Sequence, residues 1–277
     1  MFKNILIFTI IIIDAILIAG CREKMEKLSI QGSTTVLPIA QKAAEDFMKE
    51  HPETQITVRG GGSGVGITAL LAGTIDIAIS SRAMKETELQ EAEARGIKPK
   101  AWVIAKDGIA VIVHPRNTVS ELSLAQLKAI YLGDIKAWDE VVPKEFTWKS
   151  GSIVVISRDV ASGTFEIFKE KVLEGEKLRE DALMLASNKA VSTTVAKTEG
   201  SIGYIGLGYL SSDVKALKID GIAPLRETVL SGEYKLARPL YMYTNGEPKG
   251  LAKQFLAFVL GPKGQRIVNE QGFISIK

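Results

Sequence analysis

Short β-rich runs alternate with helical patterns along the chain, an arrangement typical of α/β proteins with largely parallel sheets. In the first unit, alternating apolar and polar positions over 28–32 predict a strand, and Pro38 opens a helix that runs to residue 50. Further strands are expected at residues 54–60, 75–81, 101–115, 151–158, 200–210 and 234–244. Further helices are expected at residues 66–73, 85–96, 123–134, 162–173, 249–261 and 264–272.

Residues 101–115 carry two β-rich runs on either side of Lys106-Asp107-Gly108. An Asp-Gly dipeptide between apolar runs favours a tight hairpin turn. We therefore expect two strands joined by a turn in this stretch, rather than one long strand.

Composition limits the classes of protein to consider. With 277 residues, of which 46% are hydrophobic and 24% charged, the chain can form one large domain or two ordinary ones with a buried core. The net charge of +3 is spread evenly and gives no basic patch for nucleic acid. Two histidines and one cysteine are too few for the tetrahedral ligand set of a structural zinc site. We expect no nucleic-acid partner, no metal and no cofactor.

Residues 1–20 combine an early lysine, a long apolar run and small residues before Cys21, the layout of a secretory signal peptide. The sequence "IAGC", which ends at Cys21, resembles a bacterial lipobox, in which the cysteine is lipidated and becomes the first residue of the mature protein. The alternative is an uncleaved anchor, since the apolar run is nearly long enough to span a bilayer. Under both interpretations residues 22–277 are exported to the periplasm or the cell surface.

Three turns share one construction, in which a strand is followed by serine, threonine and glycine and then by a helix. They are "QGSTTVLP" (31–38), "GGGSGVG" (60–66) and "RDVASGTF" (158–165). One hydroxyl before a helix is ordinarily an N-cap, but a cap needs neither several hydroxyls nor a run of glycines. Each turn also presents free backbone amides at a positive helix end. Together the turns could supply neutral donors around a small oxyanion.

Nucleotide-binding motifs do not fit the glycine-rich turn. Gly61 and Gly66 have the spacing of a phosphate-binding P-loop, but Ile67 stands where that motif needs lysine. The dinucleotide fingerprint fails as well, because its last glycine would fall on Val65 or Ile67. These exclusions favour a free inorganic anion as the ligand.

Four motifs in order resemble the PstS family, the phosphate-binding substrate receptors of phosphate ABC importers. They are "GSTTVLPIAQKAAEDFMKEHP", "GGGSGVGITALLAGTIDIAISSR", "SRDVASGTFEIF" and "EGSIGYIGLGYL". The resemblance extends over about residues 28–277. It implies a two-lobed, periplasmic-binding-protein-like α/β fold of type II, with mixed or parallel sheets, two chain crossovers and a ligand cleft between the lobes. We expect lobe I at 28–112 and 237–277, and lobe II at 113–236.

The resemblance also implies ligands and partners. Arg158 is implied to be the cation that contacts phosphate, braced by Asp159. For Arg82 we expect a surface position, and a role as a second cation is the alternative. The partners are inorganic phosphate, the phosphate ABC permease complex and the membrane, reached through lipidated Cys21, and the protein is expected to be a monomer. Carried over residue by residue, the phosphate-binding set is Ser33, Thr34, Thr35, Ser63, Gly64, Ser81, Arg158, Ser162, Gly163 and Thr164.

Ser81 departs from the best-known family pattern, in which an aspartate at this position accepts the proton of hydrogen phosphate and repels sulfate. A serine hydroxyl donates or accepts, so it permits phosphate without enforcing it. This leaves a receptor for sulfate, molybdate or tungstate as an alternative. A phosphate-binding or adhesion lipoprotein without a transport role is another. A third is a hydrolase with Ser63 or Ser162 as nucleophile and His114 as base, but His114 has no evident acidic partner.

Overall fold

A computed structural model describes residues 25–141 and 151–276. Its strands are β1 (Glu26–Gly32), β2 (Thr54–Arg59), β3 (Ile77–Ser80), β4 (Pro99–Val113), β5 (Glu121–Leu122), β6 (Val154–Arg158), β7 (Leu183–Leu185), β8 (Ser201–Gly206), β9 (Lys215–Ala216), β10 (Lys218–Ile219) and β11 (Ala237–Asn245). Its helices are α1 (Leu37–Glu50), α2 (Ser63–Leu71), α3 (Glu86–Ala94), α4 (Leu124–Leu132), α5 (Gly163–Lys171), α6 (Asn188–Lys197), α7 (Arg226–Ser231), α8 (Gly250–Leu260) and α9 (Pro262–Glu270).

The main sheet is mixed. Its strand order is β2-β1-β3-β11-β4-β8-β6-β7, and β9 pairs with β4. β1 is parallel to β2 and β3, and β6 is parallel to β7 and β8. β4 and β11 are antiparallel to each other and join these two parallel groups. The carboxyl ends of β1, β2 and β6 lead directly into the three turns singled out above.

The predicted hairpin at Asp107-Gly108 is wrong, because β4 is one continuous strand. Up to Gly108 this strand pairs with β11, and from Ile109 onward it pairs with β8. Asp107 is fully buried and ion-paired to Arg238 of β11, an environment that an exposed hairpin turn cannot provide. Tertiary pairing therefore overrides the local turn preference of the dipeptide.

The two largest hydrophobic clusters lie on either side of the point where β4 changes partner, and we call them the two cores. In one core, α1, α8 and α9 pack on β1, β3 and the first half of β4, with Phe47 and Phe255 in edge-to-face contact. In the other core, Tyr131, Phe168 and Tyr204 pack beneath the second half of β4. The mixed α/β fold with two lobes is confirmed.

The lobe limits of 28–112 with 237–277, and of 113–236, stay a prediction. The chain crosses between the cores within β4 and again just before β11, where Ile109 N donates to Leu236 O. Near the C-terminus, Ile274 packs with the second core although it follows the last helix of the first. A single cut in the sequence therefore does not separate the two cores.

The predicted signal peptide (1–20) and the lipidation site Cys21 lie outside the described residues. Within 25–141 and 151–276, no helix has both the length and the apolar character needed to cross a membrane.

Candidate anion-binding site

The three turns singled out in the sequence meet between the two lobes. Thr35 of the first turn and Thr164 of the third lie with their hydroxyl oxygens 3.2 Å apart. The second turn meets the third through the backbone, because Gly64 N donates to Ala161 O at 3.1 Å. Arg158 Nη2 donates to Thr34 Oγ1 at 3.1 Å. Side chains from distant parts of the chain thus form one polar cluster.

This cluster is withdrawn from solvent. Thr34 is the most accessible of its hydroxyl residues at 8% exposure, and Ser63 is completely buried. Buried hydroxyl and guanidinium groups lose their hydration, so each needs a protein or ligand partner. Gly64 is half-buried, and the buried members of the predicted set are Ser33, Thr34, Thr35, Ser63, Ser81, Arg158, Ser162, Gly163 and Thr164.

Glycines allow the two lobes to approach closely. Gly62 has a φ of 104°, and a Cβ added there would lie 2.6 Å from Ala161 O on the opposite lobe. A Cβ added at Gly163 would collide with Ser63 Oγ and would lie 2.6 Å from Ser81 Oγ. The glycine run was expected to let an anion approach, and here it also lets the facing backbone approach.

A fourth turn, which the sequence analysis missed, belongs to the same cluster. Asn188 is the first residue of α6, and its Nδ2 donates to Thr35 Oγ1 at 3.0 Å and to Thr34 Oγ1 at 3.5 Å. Its Oδ1 accepts from Gly206 N at 3.3 Å. Ser187 caps the helix by accepting from Ala190 N. The signal was present in "LASNKAV", where a short strand is again followed by a hydroxyl residue and a helix.

Arg158 is held by backbone carbonyls rather than by Asp159, so the expected brace is wrong. Its Nε donates to Leu185 O at 3.1 Å and its Nη2 to Ala186 O at 3.0 Å. Asp159 instead accepts from Ala161 N and shapes the turn. Arg158 Nη1 is buried and has no hydrogen-bond partner among the described residues. Burial lowers the pKa of Arg158, while Tyr204 and Asp159 oppose that shift.

A second buried guanidinium lies beside the cluster. Arg238 of β11 donates from Nε and Nη2 to Asp107 Oδ2, at 3.1 and 2.8 Å. Its Nη2 also lies 3.3 Å from Thr35 Oγ1. The sequence analysis gave the cluster one cation and placed Asp107 in a turn. The sequence feature that was missed is one acidic residue, Asp107, in one mostly apolar strand and one basic residue, Arg238, in another.

The serines of the predicted set differ in their partners. Ser33 Oγ accepts from Thr35 N and Val36 N, and Ser162 Oγ accepts from Thr164 N and Phe165 N. Ser162 therefore caps α5, whereas Ser33 closes the turn that precedes α1, and each keeps its hydroxyl proton for donation elsewhere. Ser63 Oγ accepts from Ser81 N at 3.1 Å and lies 3.3 Å from Ser81 Oγ, which places Ser81 in the cluster.

Arg82, expected on the surface, is buried and paired with Glu88. Its Nη1 and Nη2 each lie 2.7 Å from a carboxylate oxygen of Glu88. Burial alone would raise the pKa of Glu88, but hydrogen bonds from Arg82 and from the Lys85 amide hold it below its ordinary value. The surface expectation is wrong because α3 folds this carboxylate back over the arginine, six residues away.

The arrangement suits a small anion, and among the described residues the two candidate nucleophile and base groups, Ser63 and His114, are not paired with each other. Helices α1, α2, α5 and α6 all begin at the cluster, so several positive helix ends point into one region. The partners of Ser63 Oγ are Ser81 groups, and His114 Nδ1 accepts from Arg116 N in a separate turn. Among the described residues, no group of three or more His, Cys, Asp and Glu side chains could hold a metal ion.

Comparison with known proteins agrees with this fold. A family model described as a PBP superfamily domain matches residues 22–263. The phosphate-binding protein PstS of Bacillus subtilis (strain 168) is 37% identical over 254 residues, covering 90% of this chain and 80% of that protein. The PstS of Staphylococcus aureus (strain USA300) is 33% identical over 256 residues, covering 88% of this chain and 76% of that protein.

Solved structures agree as well. A phosphate ABC transporter substrate-binding protein of Clostridium perfringens, solved with bound phosphate, matches with a TM-score of 0.82 and 34% identity, over 91% of this chain and all of the other. A Vibrio cholerae phosphate transport receptor matches with a TM-score of 0.72 and 30% identity, over 89% and 99% of the two chains. The two-lobed architecture is that of the PBP superfamily. Within it, the chain belongs to the PstS family of phosphate-binding proteins.

Proposed function

We propose that the protein is an exported lipoprotein receptor that binds inorganic phosphate between its lobes and delivers it to a phosphate ABC importer. The observation that carries this proposal is the buried cluster in which the Thr35 and Thr164 hydroxyls meet across the lobes and the Arg158 guanidinium of one lobe donates to the Thr34 hydroxyl of the other. The names of the relatives, phosphate-binding protein and phosphate ABC transporter substrate-binding protein, support the same ligand.

The hydrogen-bond pattern makes the threonines donors toward a ligand. Thr35 Oγ1 receives N–H groups from Asn188 and Arg238, and Thr34 Oγ1 receives one from Arg158 and a longer one from Asn188. A hydroxyl oxygen has two lone pairs and one proton, so both threonines keep a proton to donate. A tetrahedral oxyanion presents acceptor oxygens that match these donors and the unpartnered Arg158 Nη1.

Ligand capture is linked to lobe closure in this proposal. Contacts that span the lobes include Gly64 with Ala161, Thr35 with Thr164, and Lys85 Nζ with Glu166 Oε1 at 2.8 Å, beside those of Thr34 with Arg158 and Asn188. Phosphate bound to donors of both lobes interacts more strongly with the closed form than with the open one. It therefore shifts the population toward the closed form. The size of this shift is set by the difference between the affinities of the two forms for phosphate.

Delivery requires the receptor to stay near the importer. We propose that residues 1–20 are a signal peptide and that a lipid on Cys21 retains the monomeric receptor at the membrane, in reach of the phosphate ABC permease complex. Replacing Cys21 with serine should release the protein from the membrane fraction and leave its phosphate affinity unchanged. Retention of the variant with residues 1–20 still attached would identify the apolar segment as an anchor instead.

A receptor for another tetrahedral oxyanion is the second candidate. Ser81 stands where the best-known pattern has an aspartate, and Asp107, the buried acid near the cluster, is already engaged by Arg238. No free carboxylate among the described cluster residues is placed to accept a proton from the ligand. This favours a site that tolerates sulfate, molybdate or tungstate. No particular contact supports the alternative of a phosphate-binding or adhesion lipoprotein without a transport role.

Titration calorimetry of the purified protein with phosphate, sulfate and molybdate tests the proposal. We expect phosphate to bind most tightly, with measurable sulfate binding. Tight molybdate or sulfate binding together with negligible phosphate binding would establish the second candidate. A release of inorganic phosphate from phosphate esters that depends on Ser63 would instead indicate an enzyme.

A further inference from the structure

The Asp107–Arg238 ion pair is placed where the two lobes and the anion site meet. Asp107 and Arg238 face each other in the β4–β11 ladder. Asp107 is one residue before Gly108, the last residue of β4 that pairs with β11 before the strand pairs with β8. Asp107 Oδ1 accepts from Leu207 N at 2.9 Å, just after β8, while Oδ2 accepts twice from Arg238. Both side chains are almost completely buried. One carboxylate thus connects β4, β8 and β11.

The same pair reaches the anion site through Thr35. Arg238 Nη2 lies 2.8 Å from Asp107 Oδ2 and 3.3 Å from Thr35 Oγ1, so this one NH2 group donates to both the carboxylate and the hydroxyl. Together with Asn188, Arg238 fills both lone pairs of Thr35 Oγ1. Because the hydroxyl proton must then point elsewhere, Arg238 sets Thr35 as a donor.

The pair also sets the charge of the buried region. Arg158 and Arg238 carry one positive charge each, and the Asp107 carboxylate, acting only as an acceptor, offsets one of them. Burial raises the pKa of Asp107, and Arg238 and backbone amides oppose that rise. The other groups that face the pair and Arg158 are Asp159, Tyr204, Tyr209 and Tyr234. Burial raises the pKa of Tyr204 and Tyr209 to about 12 and raises that of Tyr234, so these phenols stay neutral.

Deepening the proposed function on which it rests, we propose that the Asp107–Arg238 pair is a positioning and specificity element of the phosphate site. Arg238 orients Thr35 and adds a second positive charge. Asp107 fixes Arg238 and limits the net charge, so that the site accepts both the singly and the doubly charged forms of phosphate. A purely structural pair would instead affect all anions alike.

Charge-changing variants of the two partners separate these roles, because they should change anion preference in opposite directions. Affinities for phosphate and sulfate are measured by calorimetry at about pH 6 and about pH 8, on either side of the second ionisation of phosphate. Asp107→Asn should raise the preference for doubly over singly charged anions about tenfold, and Arg238→Gln should lower it by a similar factor, as expected for one partly screened charge nearby. Arg238→Lys should retain most of the wild-type preference.

Arg179→Gln is the matched control, because Arg179 forms a two-pronged pair with Asp181 away from the anion site and should leave the preference unchanged. Equal weakening of all anions by Asp107→Asn and Arg238→Gln, with an unchanged ratio, would overturn the inference. If Asp107→Asn does not fold by circular dichroism, the comparison of Arg238→Lys with Arg238→Gln decides: a preference that both variants change equally contradicts the charge role. Failure of the wild type to bind phosphate would overturn the proposed function itself.

Discussion

Thr35 Oγ1 lies 3.2 Å from Thr164 Oγ1, although 129 residues separate the two threonines in the chain. Thr35 precedes α1, which packs in the first core, and Thr164 lies in the first turn of α5, which packs in the second. An anion that accepts hydrogen bonds from both hydroxyls must therefore touch both lobes. The proposed coupling of ligand binding to lobe closure rests on this relationship, and it leads to the following predictions.

Arg158 should contribute more to anion affinity than any single hydroxyl. Arg158→Ala removes a buried, charge-assisted donor, and we expect a loss of roughly 2–5 kcal/mol of binding free energy. Ser162→Ala removes one neutral hydroxyl, together with its cap on the Thr164 and Phe165 amides, and should cost roughly 1–3 kcal/mol. Phosphate titration of both variants gives the two values.

Arg116→Ala is the control for this pair, because Arg116 is an exposed arginine that pairs only with Glu199 among the described residues. It should bind phosphate like the wild type. Equal small losses for Arg158→Ala and Ser162→Ala would place Arg158 outside the binding site.

Gly163→Ala should hinder closure without unfolding either lobe. The added methyl group would collide with Ser63 Oγ and lie close to Ser81 Oγ across the cleft. Overpacking of this kind costs roughly 1–3 kcal/mol, which should appear as weaker phosphate binding because only the closed form brings these atoms together. Gly151→Ala is the control, since no atom lies within 4 Å of a Cβ built there. A Gly163→Ala variant with wild-type affinity would contradict this account of closure.

The parts of the site that could be predicted from sequence are those carried by short, contiguous segments. Thr34, Ser63 and Ser162 each follow a strand and precede a helix, and this local pattern is sufficient to expect backbone and hydroxyl donors at a shared sheet edge. Asn188 has the same local pattern, so it was accessible from the sequence but was not found.

The Asp107–Arg238 pair could not be predicted in this way, because its partners are 131 residues apart and meet only through the register of β4 and β11. The local preference of Asp107-Gly108 for a turn pointed to the wrong structure. Glu88, the partner of Arg82, is only six residues away in the chain. The chain reverses before α3 and so brings Glu88 onto Arg82, but no sequence motif predicts this reversal. Tertiary register and chain reversal therefore account for these two misses.

Ser81→Asp should sharpen the selectivity of the site for phosphate over sulfate. The new carboxylate would lie beside Ser63 and Gly163, where it could accept the proton of hydrogen phosphate but would face sulfate as a buried like charge. Sulfate should weaken by several kcal/mol and phosphate by less. Competitive titration with both anions at two pH values measures the change.

Ser120→Asp, at an exposed serine outside the cluster, is the control and should leave both affinities unchanged. If the wild type already excludes sulfate and Ser81→Asp is no more selective, another group must recognise the ligand's proton. Asp159, whose Oδ1 accepts from Ala161 N in the third turn, would be the first candidate, whereas Asp76 is exposed and bound to Ser29.

The Arg82–Glu88 pair should make part of the stability depend on acid pH. The pKa of Glu88 in the folded protein lies below the ordinary glutamate value of 4.5, so its contribution is present above that pH and is lost as the pH falls through the lowered pKa. Glu88→Gln should therefore lower the free energy of unfolding by roughly 1–3 kcal/mol at neutral pH, with a smaller difference under acid conditions. Denaturant unfolding between about pH 3 and about pH 7 measures this.

Glu91→Gln is the control in the same helix, since Glu91 pairs with Arg95 at an exposed site and should change stability little. A Glu88→Gln variant whose deficit grows as the pH falls would have the wrong sign for this interpretation.

A crystal structure of the protein with phosphate tests the central claim most directly. We expect the ion between the lobes, with oxygens about 2.6–3.2 Å from the hydroxyls of Thr35 and Thr164 and from Arg158 Nη1. Donors from both lobes should contact the same ion. Phosphate bound to one lobe alone, or at a place where Arg158 makes no contact with it, would contradict the account.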